Sequence, residues 1–369
     1  MKIAFVSQPL CSGGSERVVA ALANAFDDLG HEVKIIVVDN GDENVYPTND
    51  AIEFIHIDKP KNPVTDLFHR ALRMRKFFSA YKPDIIIPFT TQKSVSALLA
   101  VLFTKHKVIA CERNNPSEDP SNKFLRVLRK LLYWRADGFV FQTQQAKEYF
   151  SLKIQSRARV IFNPISSNIV EPWNGPRTKR IVMASRLYPQ KNIAMAIDAM
   201  AEIAKKYPEY TLEIYGKGYQ GQDEYEKKLL KQIADLNLQN NVMLKGFSSN
   251  LHLDIRDASV FLLTSDHEGM SNSLIEAMAL GLPCISTDDP NGGARALIST
   301  GENGVLIPVG DKEACIRSLN ILLGDAELRN RIANNAVKVR EELSINRIAN
   351  QWIGFILEVI KENDKKNNA

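Results

Sequence analysis

The feature that most constrains this chain is an alternation. Short runs of branched apolar residues are each followed by a stretch with helical periodicity. KIAFVS (2–7) leads into a helical pattern from about Ser15 to Leu29, Gly30 stops it, and EVKIIVV (32–38) follows. DIIIPF (84–89), KVIACE (107–112), GFVFQT (138–143) and RVIFN (159–163) continue the series. Near-continuous apolar runs of this length suit strands of a parallel sheet covered on both faces.

Residues 164–179, PISSNIVEPWNGPRTK, break the rhythm with Pro, Gly and Asn, which marks a linker. The alternation then restarts with RIVMAS (180–185), a helix from about Asn192 to Lys206, TLEIYG (211–216), NVMLKG (241–246), VFLLTS (260–265), PCIST (283–287) and VLIPV (305–309). A chain of 369 residues exceeds one ordinary core. The expected fold is therefore α/β, with two doubly wound, Rossmann-like domains facing a cleft. The expected boundaries are 1–165, a linker at 166–178, 179–345, and a terminal helix with its tail at 346–369.

Several classes fall away at this point. No apolar run approaches the ~20 residues that span a bilayer, and the start is strand-like, without the shape of a signal peptide. Cys11, Cys111, Cys284 and Cys315 are scattered without CxxC or metal spacing, so free thiols in a reducing compartment are expected. Charge is uneven: residues 59–135 hold 16 Lys/Arg against 5 Asp/Glu, and residues 171–369 hold 24 against 26. The first half thus carries a region suited to an anionic partner.

In open α/β sheets ligands bind beyond the carboxyl ends of the strands. After the first strand, Gly13 and Gly14 open a helix, which suits either close approach of an anion or a plain tight turn. The spacing is not GxGxxG, which disfavours a dinucleotide oxidoreductase. Arg186 and Lys191 flank a Pro-containing loop, as a diphosphate clamp or as two solvated cations. Gly216 ends one strand. Gly246 and Phe247 end another, where a backbone edge and a ring suit a base. In HEGMSNSLIEAMALGLPC (267–284), Ser273 and Glu276 fit a capping box, so Glu276 reads either as a helix cap or as a ligand carboxylate. Glu268 reads as an exposed acid or as an acceptor of sugar hydroxyls. The helix start beside it suits a phosphate.

Together, GGSERVV (13–19), ASRLYPQKN (184–192), YGKG (215–218), EGMSNSLIE (268–276) and NGVLIPVGD (303–311) resemble the family 4 retaining glycosyltransferases, whose fold is termed GT-B. The two glutamates fit that family's E-x7-E motif. STDDPNGGARALI (286–298) looks most like bacterial capsule, exopolysaccharide and O-antigen enzymes. The resemblance implies two Rossmann-like domains with a C-terminal helix crossing back to the first. It implies that Arg186 and Lys191 bind the donor diphosphate, Glu276 the ribose, and Glu268 the transferred sugar. Gly269, Met270, Ser271 and Asn272 would complete the donor loop, backbone N–H groups near Ser273 and Leu274 would hold the distal phosphate, and Gly13 and Gly14 would let the first domain close over it. Catalysis would need no metal: cations and the helix start stabilise the leaving diphosphate, which takes the acceptor's proton in a front-face displacement.

One departure concerns the first domain. Many relatives place a His after a mid-sheet strand. Here CERNNP (111–116) stands in its place. Glu112 is a candidate contact to sugar or acceptor and Arg113 to a phosphate, with an internal pair that shapes the loop as the other reading. Downstream, SNKFLRVLRKLLYWRAD (121–137) mixes Lys123, Arg126, Arg129 and Lys130 with large apolar residues, and LFHRALRMRKFF (67–78) repeats the mixture. Basic amphipathic helices lie on anionic membranes; ordinary helices packed on a sheet are the alternative. No nucleic-acid motif accompanies them. The expected activity is transfer of a hexose or N-acetylhexosamine, in α linkage, from a UDP-sugar to a polyprenyl-diphosphate-linked saccharide. The expected place is the cytoplasmic face of the plasma membrane. A soluble enzyme with a small-molecule acceptor and a non-catalytic nucleotide-sugar-binding protein are the alternatives.

Overall fold

The computed structural model describes residues 1–11, 13–39, 46–58, 63–218 and 223–367, without the side chains of 39, 58, 63–65, 223 and 363–367. The chain divides into two compact units. One is Met1–Pro164 with Leu343–Ala369, the other Ile165–Glu342.

In the first unit, β1 (Lys2–Ser7), β2 (Glu32–Asp39), β3 (Glu53–Asp58) and β4 (Ile85–Pro88) form a parallel sheet in the order β3-β2-β1-β4. β5 (Ile109–Glu112), β6 (Gly138–Phe141) and β7 (Ala158–Val160) form a second parallel set. A bridge between Ile86 and Val108 joins the two. β3 is absent from the sequence expectation. It is an edge strand whose EFIHID mixes charged and polar residues with apolar ones, unlike the continuous apolar runs of its neighbours.

The terminal helix Ile345–Asn367 belongs to this unit. Ile348, Trp352, Phe355, Ile356 and Val359 recur along one stripe and are buried. Trp352 stacks on Phe89 with ring centroids 6.2 Å apart. Gly138 leaves room for the stripe: a Cβ there would lie 2.9 Å from Val359.

The second unit holds six parallel strands in the order β10-β9-β8-β11-β12-β13. They are β8 (Thr178–Ala184), β9 (Thr211–Tyr215), β10 (Val242–Gly246), β11 (Ala258–Leu263), β12 (Cys284–Thr287) and β13 (Val305–Ile307). Ile193, Ile197, Met200 and Ile203 of the Ile193–Lys206 helix pack on this sheet, each worth about 1.5–3 kcal/mol of burial. The expected linker is strapped to this unit. Arg177 donates to the carbonyls of Ala258 and Gly281, and Arg340 donates to that of Val170. Strand order reverses between β8 and β11, which makes their carboxyl ends the switch point where α/β sheets bind ligands.

Candidate active site

Two loops that are far apart in sequence meet at that switch point. After β8, the chain makes a single turn, Pro189–Lys191, and Asn192 adopts a left-handed conformation before the next helix. After β11 comes the loop that carries Glu268. The two are laced together: Gln190 Nε2 donates to the His267 carbonyl (2.5 Å), the Asp266 N–H to the Gln190 carbonyl (2.8 Å), and Thr264 Oγ1 to the Lys191 carbonyl (3.0 Å). The result is an ion pair between Lys191 Nζ and Glu268 Oε1 at 2.5 Å. Ser265 Oγ also donates to Glu268 Oε1 (2.7 Å). Arg186 is exposed on the same loop.

A third loop buttresses the second. Asn291 Nδ2 donates to the Glu268 carbonyl (2.9 Å), and Thr287 Oγ1 to the Ser265 carbonyl (2.6 Å). A Cβ on Gly293 would fall 1.9 Å from the Gly269 carbonyl, so only glycine permits this packing. Asp289 is buried beneath, and burial raises its carboxyl to about 6. Ser265, Asn291 and Gly293 are absent from the sequence expectation, although all follow strands.

The capping box is corrected. The helix is Asn272–Ala279 and its cap is Ser271, whose Oγ accepts from the Leu274 N–H (3.4 Å). Ser273 is inside the helix, so Glu276 lies in the second turn, two positions beyond the N3 place of the box. Instead, the buried Glu276 meets His252, Nε2 to Oε2 at 3.2 Å. The structure thus brings Lys191, Glu268, Gly269, Met270 and the start of the Ser271-capped helix into one constellation. The helix's first N–H groups are the donors that its own ladder leaves over. Gly216 (φ +143°) approaches this loop: a Cβ there would collide with the Ser185 carbonyl at 1.8 Å. Gly246 has φ +72°, and the Phe247 ring beside it is exposed.

The first unit departs further from expectation. Glu16 curls over Gly13, so that the start of helix Gly14–Asp28 already faces the chain's own carboxylate. Glu112 is 1% exposed, and its geometry does not support contact with a sugar. Thr91 Oγ1 donates to it (2.8 Å), the Tyr133 hydroxyl donates to its other oxygen, and Arg129 lies 3.6 Å away. Burial raises the Glu112 carboxyl to about 7, against the pull of Arg129 and the two hydroxyls. It is an internal hub, and its cation is Arg129, not the adjacent Arg113.

Arg113 is the more open question. Its guanidinium lies 4.3 Å over the Phe89 ring, and Nη2 donates to Asn163 Oδ1. Nε and Nη1 are buried without a hydrogen-bond partner, and burial lowers its pKa to about 10.

The basic band also divides. Arg126 donates to the carbonyls of Pro120 (2.6 Å) and Glu118 (3.0 Å), and Arg129 to those of Asp119 and Pro116 (both 2.9 Å). These two arginines pin the 116–120 loop and are not membrane contacts in this geometry. Lys123 and Lys130 are exposed, and so are Phe124 (61%), Val127 (56%), Leu131 (60%) and Trp134 (61%). The helix Lys123–Leu132 therefore turns Leu132 and a charged Arg129 inward and a row of apolar side chains outward. Among the described residues no helix is long and apolar enough to cross a membrane, and no three His, Cys, Asp or Glu side chains gather as a metal-ligand cluster.

Comparison with known proteins fits this geometry. Residues 12–168 match the family model described as Glycosyltransferase Family 4, and residues 170–339 the one described as Glycosyl transferases group 1. The chain belongs to the family 4-like glycosyltransferases. It is 28% identical to a Campylobacter jejuni enzyme named GalNAc-alpha-(1->4)-GalNAc-alpha-(1->3)-diNAcBac-PP-undecaprenol alpha-1,4-N-acetyl-D-galactosaminyltransferase, over 97% of this chain and 99% of that one. Its fold is that of Anabaena HepE, solved with UDP (TM-score 0.83, 20% identity, 97% and 100% coverage). It is also that of a sucrose-phosphate synthase from Thermosynechococcus elongatus (TM-score 0.86, 18% identity, 98% and 99% coverage). The GT-B fold expected from the motifs is the fold found.

Proposed function

We propose that this glycosyltransferase moves a sugar from a UDP-linked donor to a saccharide carried on polyprenyl diphosphate, with retention and without a metal. The Lys191–Glu268 pair at the start of the Asn272–Ala279 helix carries this reading. A diphosphate there would meet Lys191, Arg186 and the helix's first N–H groups, which together stabilise a leaving anion. Glu268, released from Lys191, would accept hydrogen bonds from sugar hydroxyls, and Glu276 from the ribose. The UDP in the HepE structure and the undecaprenol-linked substrate in the Campylobacter enzyme's name support the choice of donor and acceptor. Transfer should fall below detection in Lys191→Ala and Glu276→Ala while both variants keep the wild-type melting temperature. Normal turnover in both folded variants rules the site out. Activity should survive EDTA, and the product's anomeric coupling should report an α linkage.

The acceptor reading places the enzyme peripherally on the cytoplasmic face of the membrane. Phe124, Val127 and Leu131 recur at i, i+3 and i+7 on one exposed face beside Lys123 and Lys130, and the helix contains no acid. That face suits an anionic bilayer. Lys123→Glu with Lys130→Glu, and separately Phe124→Ser with Leu131→Ser, should each weaken co-sedimentation with phosphatidylglycerol vesicles, by about fivefold per lysine. Unchanged binding in both sets returns the face to plain surface.

A further inference from the structure

His252 lies outside every motif that the sequence offers. It stands in the short helix Leu251–Ile255 that follows β10. That helix is held in place from two sides. Ser248 Oγ donates to Asp254 Oδ2 (2.5 Å), and Ile255 is buried. The imidazole is therefore presented by a fixed backbone, and its Nε2 reaches Glu276 Oε2 across 24 residues of chain. Glu276 itself is 4% exposed. A buried carboxylate that grips a pair of vicinal hydroxyls must keep its plane. The His252 imidazole, 3.2 Å from one carboxylate oxygen, restrains that plane. The same strand end carries the exposed Phe247 ring, so the region after β10 suits the nucleoside.

We propose that His252 is a positioning residue for ribose recognition. By fixing the Glu276 carboxylate it sets the preference for a ribonucleotide over a 2′-deoxyribonucleotide donor. The proposal rests on the assignment of Glu276 to the ribose.

Calorimetric titration of the full chain with UDP and with 2′-deoxy-UDP tests both layers. The wild type should prefer UDP by about tenfold, the worth of one hydrogen bond to a charged acceptor. His252→Leu should bring the ratio close to one through weaker UDP binding, with 2′-deoxy-UDP unchanged. His252→Gln, whose amide N–H reaches the same carboxylate, should keep part of the preference. In transfer assays His252→Leu should raise the donor KM and leave kcat within about twofold, as expected for lost uniform binding. If His252→Leu keeps the full ratio while Glu276→Ala loses it, the His252 proposal fails and Glu276 stands. If Glu276→Ala also keeps the ratio, or the wild type shows none, the ribose assignment fails with it. Equal loss of both nucleotides in His252→Leu shows a role in folding only and overturns the proposal.

Discussion

The carboxyl edges of the two sheets handle charge in opposite ways. In the second unit the acid and the cation face the ligand edge together: Lys191 and Glu268 pair across two loops, each side chain keeping some exposure. In the first unit they are separated. Glu112 is drawn into the interior and satisfied by Thr91, Tyr133 and Arg129, while Arg113 keeps two buried N–H groups without a partner. Among the described residues the structure gives Arg113 no carboxylate. A paired site is neutral at rest and exchanges its partner when a ligand arrives. A buried cation without a counter-ion costs stability until an anion reaches it. The first arrangement suits a donor whose diphosphate and sugar must be gripped at once. The second suits an acceptor that brings its own negative charge.

Parallel substitutions of the two glutamates should separate these roles most strongly. Glu268→Gln removes the rival of the diphosphate for Lys191. UDP binding should stay level or tighten, while transfer falls on the order of 100–1000-fold through loss of the transition-state contact. Its melting temperature should move little. Glu112→Ala should do the reverse. It leaves Tyr133 and Thr91 without their acceptor and Arg129 without its counter-charge, a loss of about 3–5 kcal/mol of stability. The protein that remains folded should turn over normally. A stable but inactive Glu112→Ala enzyme would return Glu112 to the chemistry and break the contrast.

The two regions also differ in how far the sequence exposes them. The donor edge is legible because its parts are local. A strand, a loop and a helix start lie in one window, and the glycines, the lysine and the two glutamates fall at fixed offsets from strand ends. What the window hides is the third dimension: Lys191 meets Glu268 from 77 residues away, Asn291 buttresses that loop from the next strand, and His252 reaches Glu276 from a strand two places beyond β8. In the first unit the hidden part decides the reading. The partner of Glu112 is Arg129, one helix later, and the adjacent Arg113 is a false neighbour. The pattern leaves this helix either on a membrane or packed on the sheet, and the structure turns Arg129 inward and Phe124, Val127 and Leu131 outward. A basic amphipathic pattern does not say which face the sheet receives when the buried cation has an acid waiting for it.

Arg113 offers a smaller and sharper test. Arg113→Gln removes a buried uncompensated cation, so stability should rise by about 1 kcal/mol. KM for a diphosphate-linked acceptor should rise about tenfold, the worth of a charge-assisted hydrogen bond, while UDP affinity stays unchanged. Lower stability together with an unchanged acceptor KM would make Arg113 a structural cation like Arg129, and the two edges would then differ in burial alone.

The smallest effect is a pH dependence that belongs to the first unit. The folded protein raises the Glu112 carboxyl from its ordinary 4.5 to about 7, so between those values the folded state holds a proton that the unfolded state has released. The stability this group contributes is complete below about 4.5 and is lost as pH rises through 7, by up to about 1.4 kcal/mol per pH unit within the window. Glu112→Gln cannot titrate. The stability of the wild type minus that of the variant should therefore decline from pH 4.5 to 7 and level off above it. Asp289, raised to about 6 in the second unit, titrates in both proteins and cancels in the difference. Denaturant unfolding of the two proteins at half-unit steps of pH measures it. A difference that stays flat across the window would mean that Glu112 is ionised throughout, held by Arg129 as firmly as Lys191 holds Glu268, and the contrast between the two edges would narrow to the unpartnered Arg113.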